Sequence, residues 1–247
     1  MHVQIHPILA IAFAACATAA LWAAPVPPIP MKLKLADTEE AIPVNEDERQ
    51  KARHSSTGNL KDLGIFVHNF ASANQDKIPQ NFLDKDGKPL LSWRVLALPY
   101  LEQDALYRQF KLDEAWDGPN NLKLLEKMPA AFESPRVKVK KGYTVYQGFS
   151  GNGAILGSAY TIANIPDGTS NTIWCVESTH AVPWTKPVDM PFDPEKDLPK
   201  FGKAFGEKPL ALLCDGSVRE LDLKKLSAAT LKGAIGADEG SVLGADW

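Results

Sequence analysis

The stretch NEDERQKARHSSTGNLKDLGIFVHNFASANQ, residues 45–75, decides the fold. Asn45 is a capping residue, and Glu46, Asp47 and Glu48 follow where a helix dipole favours negative charge. Arg49, Lys51 and Arg53 come next. Leu60, Leu63, Val67, Phe70 and Ala71 then recur at three- and four-residue steps, the spacing of one buried helical face. The pattern predicts one long amphipathic helix over about 46–75, polar in its first half, buried in its second, and ended before Pro79. Gly58 and Gly64 either weaken it locally or admit a close neighbour.

Upstream, residues 25–44 carry Pro25, Pro27, Pro28, Pro30 and Pro43 and read as an extended linker without a core. Before it, ILAIAFAACATAALWAA (8–24) holds no charged residue. Its apolar centre, Ile8 to Ala15, is short and alanine-rich, which suits the hydrophobic region of a signal peptide better than a membrane span. Ala17-Thr18-Ala19 and Leu21-Trp22-Ala23 offer small-residue cleavage sites, although no Lys or Arg precedes the apolar run. Residues 1–24 are thus expected to act as a signal peptide or leader. The protein is expected in the periplasm, at the cell surface or secreted. Cys16, after Ala14-Ala15, opens a lipidation reading beside that of a discarded apolar filler. Membrane attachment is expected only through the leader or such a lipid.

Downstream, LSWRVLALPYLEQDALYRQF (91–110) reads as two short helices divided by Pro99. Residues 111–135 look loop-like, with a short helix at 120–127. After Lys141 the period changes to that of strands: Tyr143–Phe149, Ala159–Ile165, Thr172–Ser178, Pro209–Cys214 and Ser217–Leu221. Asp215-Gly216 between Leu213 and Val218 marks a hairpin. Residues 179–208 form a proline-rich excursion, and a short helix within Leu223–Ile235 closes the unit. Helices segregated to the first half and antiparallel strands to the second imply an α+β fold over 45–247, with the long helix packed on the sheet in a pilin-like manner.

The 247 residues carry 27 Lys and Arg against 30 Asp and Glu, a net charge of -3, so no electrostatic footprint for nucleic acid exists. Lys138, Lys140 and Lys141 are too short a run to track a phosphate backbone.

Six blocks carry a family resemblance: 58–82, 89–121, 124–135, 165–178, 181–194 and 212–221, among them IPDGTSNTIWCVES and LLCDGSVREL. Together they resemble the planctomycete family called domain of unknown function 1559 (DUF1559), which is itself similar to the G/H pseudopilins of type II secretion. The resemblance implies a pilin-like head, with envelope or secretion-pathway proteins as partners and no established activity. This chain departs from the pattern before Asn59, where EDERQKARHSSTG replaces the apolar prepilin helix. A released or lipid-tethered head is therefore expected, in place of a filament subunit.

Candidate chemistry is sparse. His54 and His68 lie fourteen residues apart, His180 follows Glu177 in a strand-to-loop setting, and no HExxH occurs. Gly148 to Gly153 lacks the spacing of a nucleophile elbow and of a phosphate cradle. No catalytic residue is assigned and no enzyme activity expected. Asp167 and Asn171, bracketing Gly168-Thr169-Ser170, are the calcium candidates, with turn and capping bonds as the other reading. No other cofactor is expected. Trp184 and Trp116 are the candidates for contact with a polysaccharide or other solute, or else fill the core. Cys175 and Cys214 lie in strand-like runs and read either as a disulfide or as two buried thiols.

Overall fold

A computed structural model describes residues 45–237, 240 and 242–247, together with the backbone of the short strand β1 at Ala36–Asp37. The leader at 1–24, Cys16 and the rest of the 25–44 linker lie outside the described residues.

The long helix α1 spans Glu46–Ala73. A capping box starts it: the Asn45 side chain accepts from Glu48 N at 2.9 Å and Glu48 accepts from Asn45 N at 3.3 Å. It ends two residues earlier than the periodicity suggests, because Asn74 turns the chain and Gln75 and Asp76 both adopt positive φ. The hairpin β2 (Phe82–Leu83) and β3 (Pro89–Leu91) follows. Helix α2 (Trp93–Leu96), a 3-10 turn at Leu98–Leu101 and helix α3 (Asp104–Tyr107) occupy the stretch expected to hold two helices. Pro99 does not separate them; it sits inside the 3-10 turn, near its start, where its missing N–H costs nothing. The expected helix at 120–127 is a 3-10 helix, Leu122–Lys127.

The strands are β4 (Tyr143–Gln147), β5 (Phe149–Gly151), β6 (Ile173–Pro183), β7 (Met190–Phe192), β8 (Leu210–Leu213) and β9 (Val218–Glu220), and helix α4 (Ala228–Ile235) follows. The main sheet runs β1-β6-β8-β9, with β4 also on β6, and every pair is antiparallel. The hairpin at Asp215-Gly216 joins β8 to β9, Gly216 supplying φ +83°. Three details depart from expectation. Ala159–Ile165 is no strand: Thr161 and Asn164 close a capping box around a 3-10 turn at Ile162–Asn164. Strand β6 continues to Pro183, so the excursion begins later than residue 179. Strands β5 and β7 pair in parallel, outside the antiparallel sheet.

Both faces of the main sheet are covered, as the unbroken apolar run of β8 requires. Leu210 and Leu212 join the cluster under α1, with Leu60, Leu63, Phe66, Trp93 and Trp174. Ala211 and Leu213 join the opposite cluster, with Leu231 and Ile235 of α4. On β6 a bulge between Ile173 and Cys175 breaks the alternation, so Trp174 and Cys175 both enter the α1 side. Helix α1 sits close on the sheet because Gly64 has no side chain: a Cβ there would stand 3.1 Å from Gly216 Cα and from Leu212 Cδ1. Of the two glycine readings, close packing fits Gly64 and local weakening fits Gly58, which faces open space.

Candidate functional site

The side chains singled out in the sequence do not converge. Trp184 is fully buried at the end of β6. Its ring stacks on Phe132 at 5.7 Å and meets Phe110 edge-on at 5.8 Å, and its Nε1 donates to the Leu125 carbonyl at 2.9 Å. It pins the excursion to the core and presents no face to a ligand. Trp116 is half-buried, and Lys186 Nζ lies 4.9 Å over its ring. Burial holds the Lys186 amine below its ordinary range, with Asp117 pulling the other way.

Asp167 and Asn171 form a turn. Asn171 Nδ2 donates to the Asp167 carbonyl at 3.1 Å, and Thr172 Oγ1 donates to the Gly168 carbonyl at 3.1 Å. Gly168 takes φ +83° between them. The Asn171 amide thus turns a donor towards the loop, an arrangement of turn bonds of the kind Asx residues make. Among the described residues, no group of three or more His, Cys, Asp or Glu side chains could hold a metal ion.

Cys175 and Cys214 are buried, free thiols, both held well above the ordinary thiol range by burial. In this structure the two sulfurs are not joined. Cys175 faces Leu212 and not Cys214, which lies two residues further on.

Two buried polar centres carry no sequence motif. In the first, Glu177 of β6 is wholly buried. Its Oε1 accepts from Ser56 Oγ of α1 at 2.7 Å; its Oε2 accepts from Leu210 N at 2.8 Å and pairs with the Arg136 guanidinium. Ser56 spends its proton on Glu177, so Tyr146 Oη donates to Ser56 Oγ across 2.7 Å. Burial raises the Glu177 carboxyl above its ordinary range, and Arg136 offsets part of that rise. The Tyr146 phenol is raised by burial and by the Glu177 charge. In the second centre, Arg94 Nη2 meets Asp189 Oδ1 at 3.0 Å with both side chains fully buried. Asp189 Oδ1 also accepts from Gly148 N at 2.9 Å, and Arg94 Nε and Nη2 donate to the Tyr146 carbonyl at 3.0 and 2.7 Å. Burial lowers the Arg94 pKa, against the pull of Asp189. The legible signal was a charge inside an apolar run, Arg94 in LSWRVLAL and Glu177 in TIWCVES. Ser56, Tyr146, Glu177, Arg94 and Asp189 are all shut from solvent, so these centres join elements and present no reacting atoms to solute.

A cleft of about 570 Å³ lies beside α4, lined by Phe192, Glu195, Lys232, Leu243 and Asp246 with Asp167. Two of its polar groups are engaged locally: Lys232 Nζ donates to the Pro194 carbonyl at 2.7 Å, and Asp246 accepts from Ser227 N at 2.6 Å at the start of α4.

The described residues form an α+β fold in which the long helix α1 packs on an antiparallel sheet around two closed polar centres. Residues 47–154, from α1 through β5, match the model of a family described as protein of unknown function (DUF1559). No curated protein and no solved structure matches the chain.

Proposed function

We propose that the chain is an exported, non-enzymatic protein of the cell envelope, whose pilin-like head acts in assembly or interaction. The observation that carries this reading is α1. Its second half is buried on the sheet, while the side chains from Asn45 to Ser55 are exposed, Ala52 alone being half-buried. Such a helix is anchored through one half and leaves the other half open to a partner. No helix among the described residues is long and apolar enough to cross a membrane. Partners are other envelope or secretion-pathway proteins. The test is expression of the full chain with a carboxy-terminal tag, followed by fractionation, intact-mass measurement and cross-linked co-purification. An envelope or medium fraction, a mass lacking the leader or carrying lipid, and co-purified envelope proteins are expected. A cytoplasmic protein of full mass would overturn the reading.

One observation favours a second reading, a module binding a polysaccharide or other solute: the 570 Å³ cleft beside α4. The buried setting of Trp184 weighs against the aromatic surface that such a module uses.

A further inference from the structure

The start of α1 is reinforced and its middle is weak. The capping box and the acidic first turn fix the helix at Asn45. From there to Ser55 the side chains are exposed, Ala52 alone being half-buried. The first buried side chain is Ser56. It sits in the run Ser55-Ser56-Thr57-Gly58-Asn59, every member of which is a poorer helix former than Ala, Leu or Lys. Thr57 Oγ1 donates back to the Arg53 carbonyl at 2.9 Å, a bond that favours bending. A Cβ added at Gly58 would meet nothing within 4 Å.

Few contacts bridge this weak run. Ser56 donates to Glu177 and accepts from Tyr146, and Glu177 is in turn fixed by Arg136 and Leu210 N. On the body side, Asn59 Nδ2 donates to the Glu133 carbonyl at 2.7 Å. On the outer side, the Arg53–Glu220 pair at 3.2 Å is half-exposed and contributes little. We propose that residues 55–59 are a latched joint, with Ser56 on Glu177 as the latch, from which the 45–55 arm undocks as one unit while Leu60 onward stays packed. Once undocked, the arm is shorter than the ~12–15 residues a helix needs to persist alone in water, so it loses its helix together.

Amide hydrogen exchange on the full chain tests this. Residues 50–57 are expected to share one level of protection, with a step up beyond Gly58. Ser56→Ala lowers the protection of 50–57 about tenfold and leaves 63–71 unchanged. Gly58→Ala raises it. Protection that climbs evenly from Arg49 with no step at 58 would show simple end fraying and overturn the joint. So would an unchanged arm in Ser56→Ala, or a loss extending through Val67.

Discussion

Replacing Asp189 by Asn removes a charge and almost no volume. The Arg94 guanidinium then stays in a site with no solvent access, facing only neutral acceptors: the Tyr146 carbonyl and Ser92 Oγ, at 2.7 Å each from its nearest nitrogens. Breaking a buried pair from one side costs about 3–5 kcal/mol, because the surviving charge is left desolvated and uncompensated. At about 2–4 °C per kcal/mol for a chain of this size, the melting midpoint should fall by roughly 6–20 °C. Arg94→Met should cost a similar amount. It strands Asp189, whose Oδ2 already has no hydrogen-bond partner, and it leaves the Tyr146 carbonyl without its two side-chain donors. The double variant Arg94→Met/Asp189→Asn should cost clearly less than the sum of the two single losses, because neither charge remains to be stranded. Urea unfolding followed by tryptophan fluorescence gives all four corners of the cycle. Additive losses, or a cost for Asp189→Asn of under about 1 kcal/mol, would refute the claim that this pair is dry and mutually compensated.

Three more outcomes follow from the geometry. Gly58→Ala should stabilise the protein by up to about 1 kcal/mol, while Gly64→Ala should destabilise it by about 1–3 kcal/mol through the clash with Gly216 and Leu212, both read from denaturant midpoints. Trp184→Ala should cost about 3–5 kcal/mol in thermal unfolding; an unchanged melting midpoint with lost glycan binding would make it a ligand residue after all. The Glu177 carboxyl is raised on folding, so its stabilising contribution is full below the ordinary carboxylate pKa and is lost as pH rises through the raised value. Stability measured by urea midpoint should therefore decline with pH above the ordinary carboxylate range, and Glu177→Gln should flatten that decline.

What could be read from the chain is what depends on near neighbours. The cap at Asn45, the stripe from Leu60 to Ala71 and the turn at Asp215-Gly216 each rest on residues within a few positions, and each stands in the structure. Ala159–Ile165 misled because apolar alternation does not reveal whether a partner strand is present; the Thr161–Asn164 capping box closes there instead. Strand β6 runs past Ser178 because β4 pairs with Val182 and Pro183 and β1 with His180 and Ala181, pairings that a proline-rich composition conceals. The site was less legible than the fold. The residue types of the polar centres were visible as misplaced charges, but Ser56 and Glu177 lie 121 positions apart and Arg94 and Asp189 lie 95 apart. Only tertiary packing chooses such partners. The tryptophans misled in the opposite direction, since the amphipathic ring that suits a binding surface suits a core equally well.

Strand β6 carries a consequence for how the protein comes together. It is the shared wall of two apolar clusters, with Trp174 and Cys175 on one side and Ile173 and Val176 on the other. Its neighbours β4 and β8 arrive from opposite directions along the chain, one made before β6 and one after. Neither cluster can close until this strand is seated, and losing it opens both. Folding is therefore paced by distant strand encounters, on the slower scale of topologies rich in non-local pairings. A chain emerging during synthesis holds α1 and the aromatic segment 91–110 without their floor until β6 has followed.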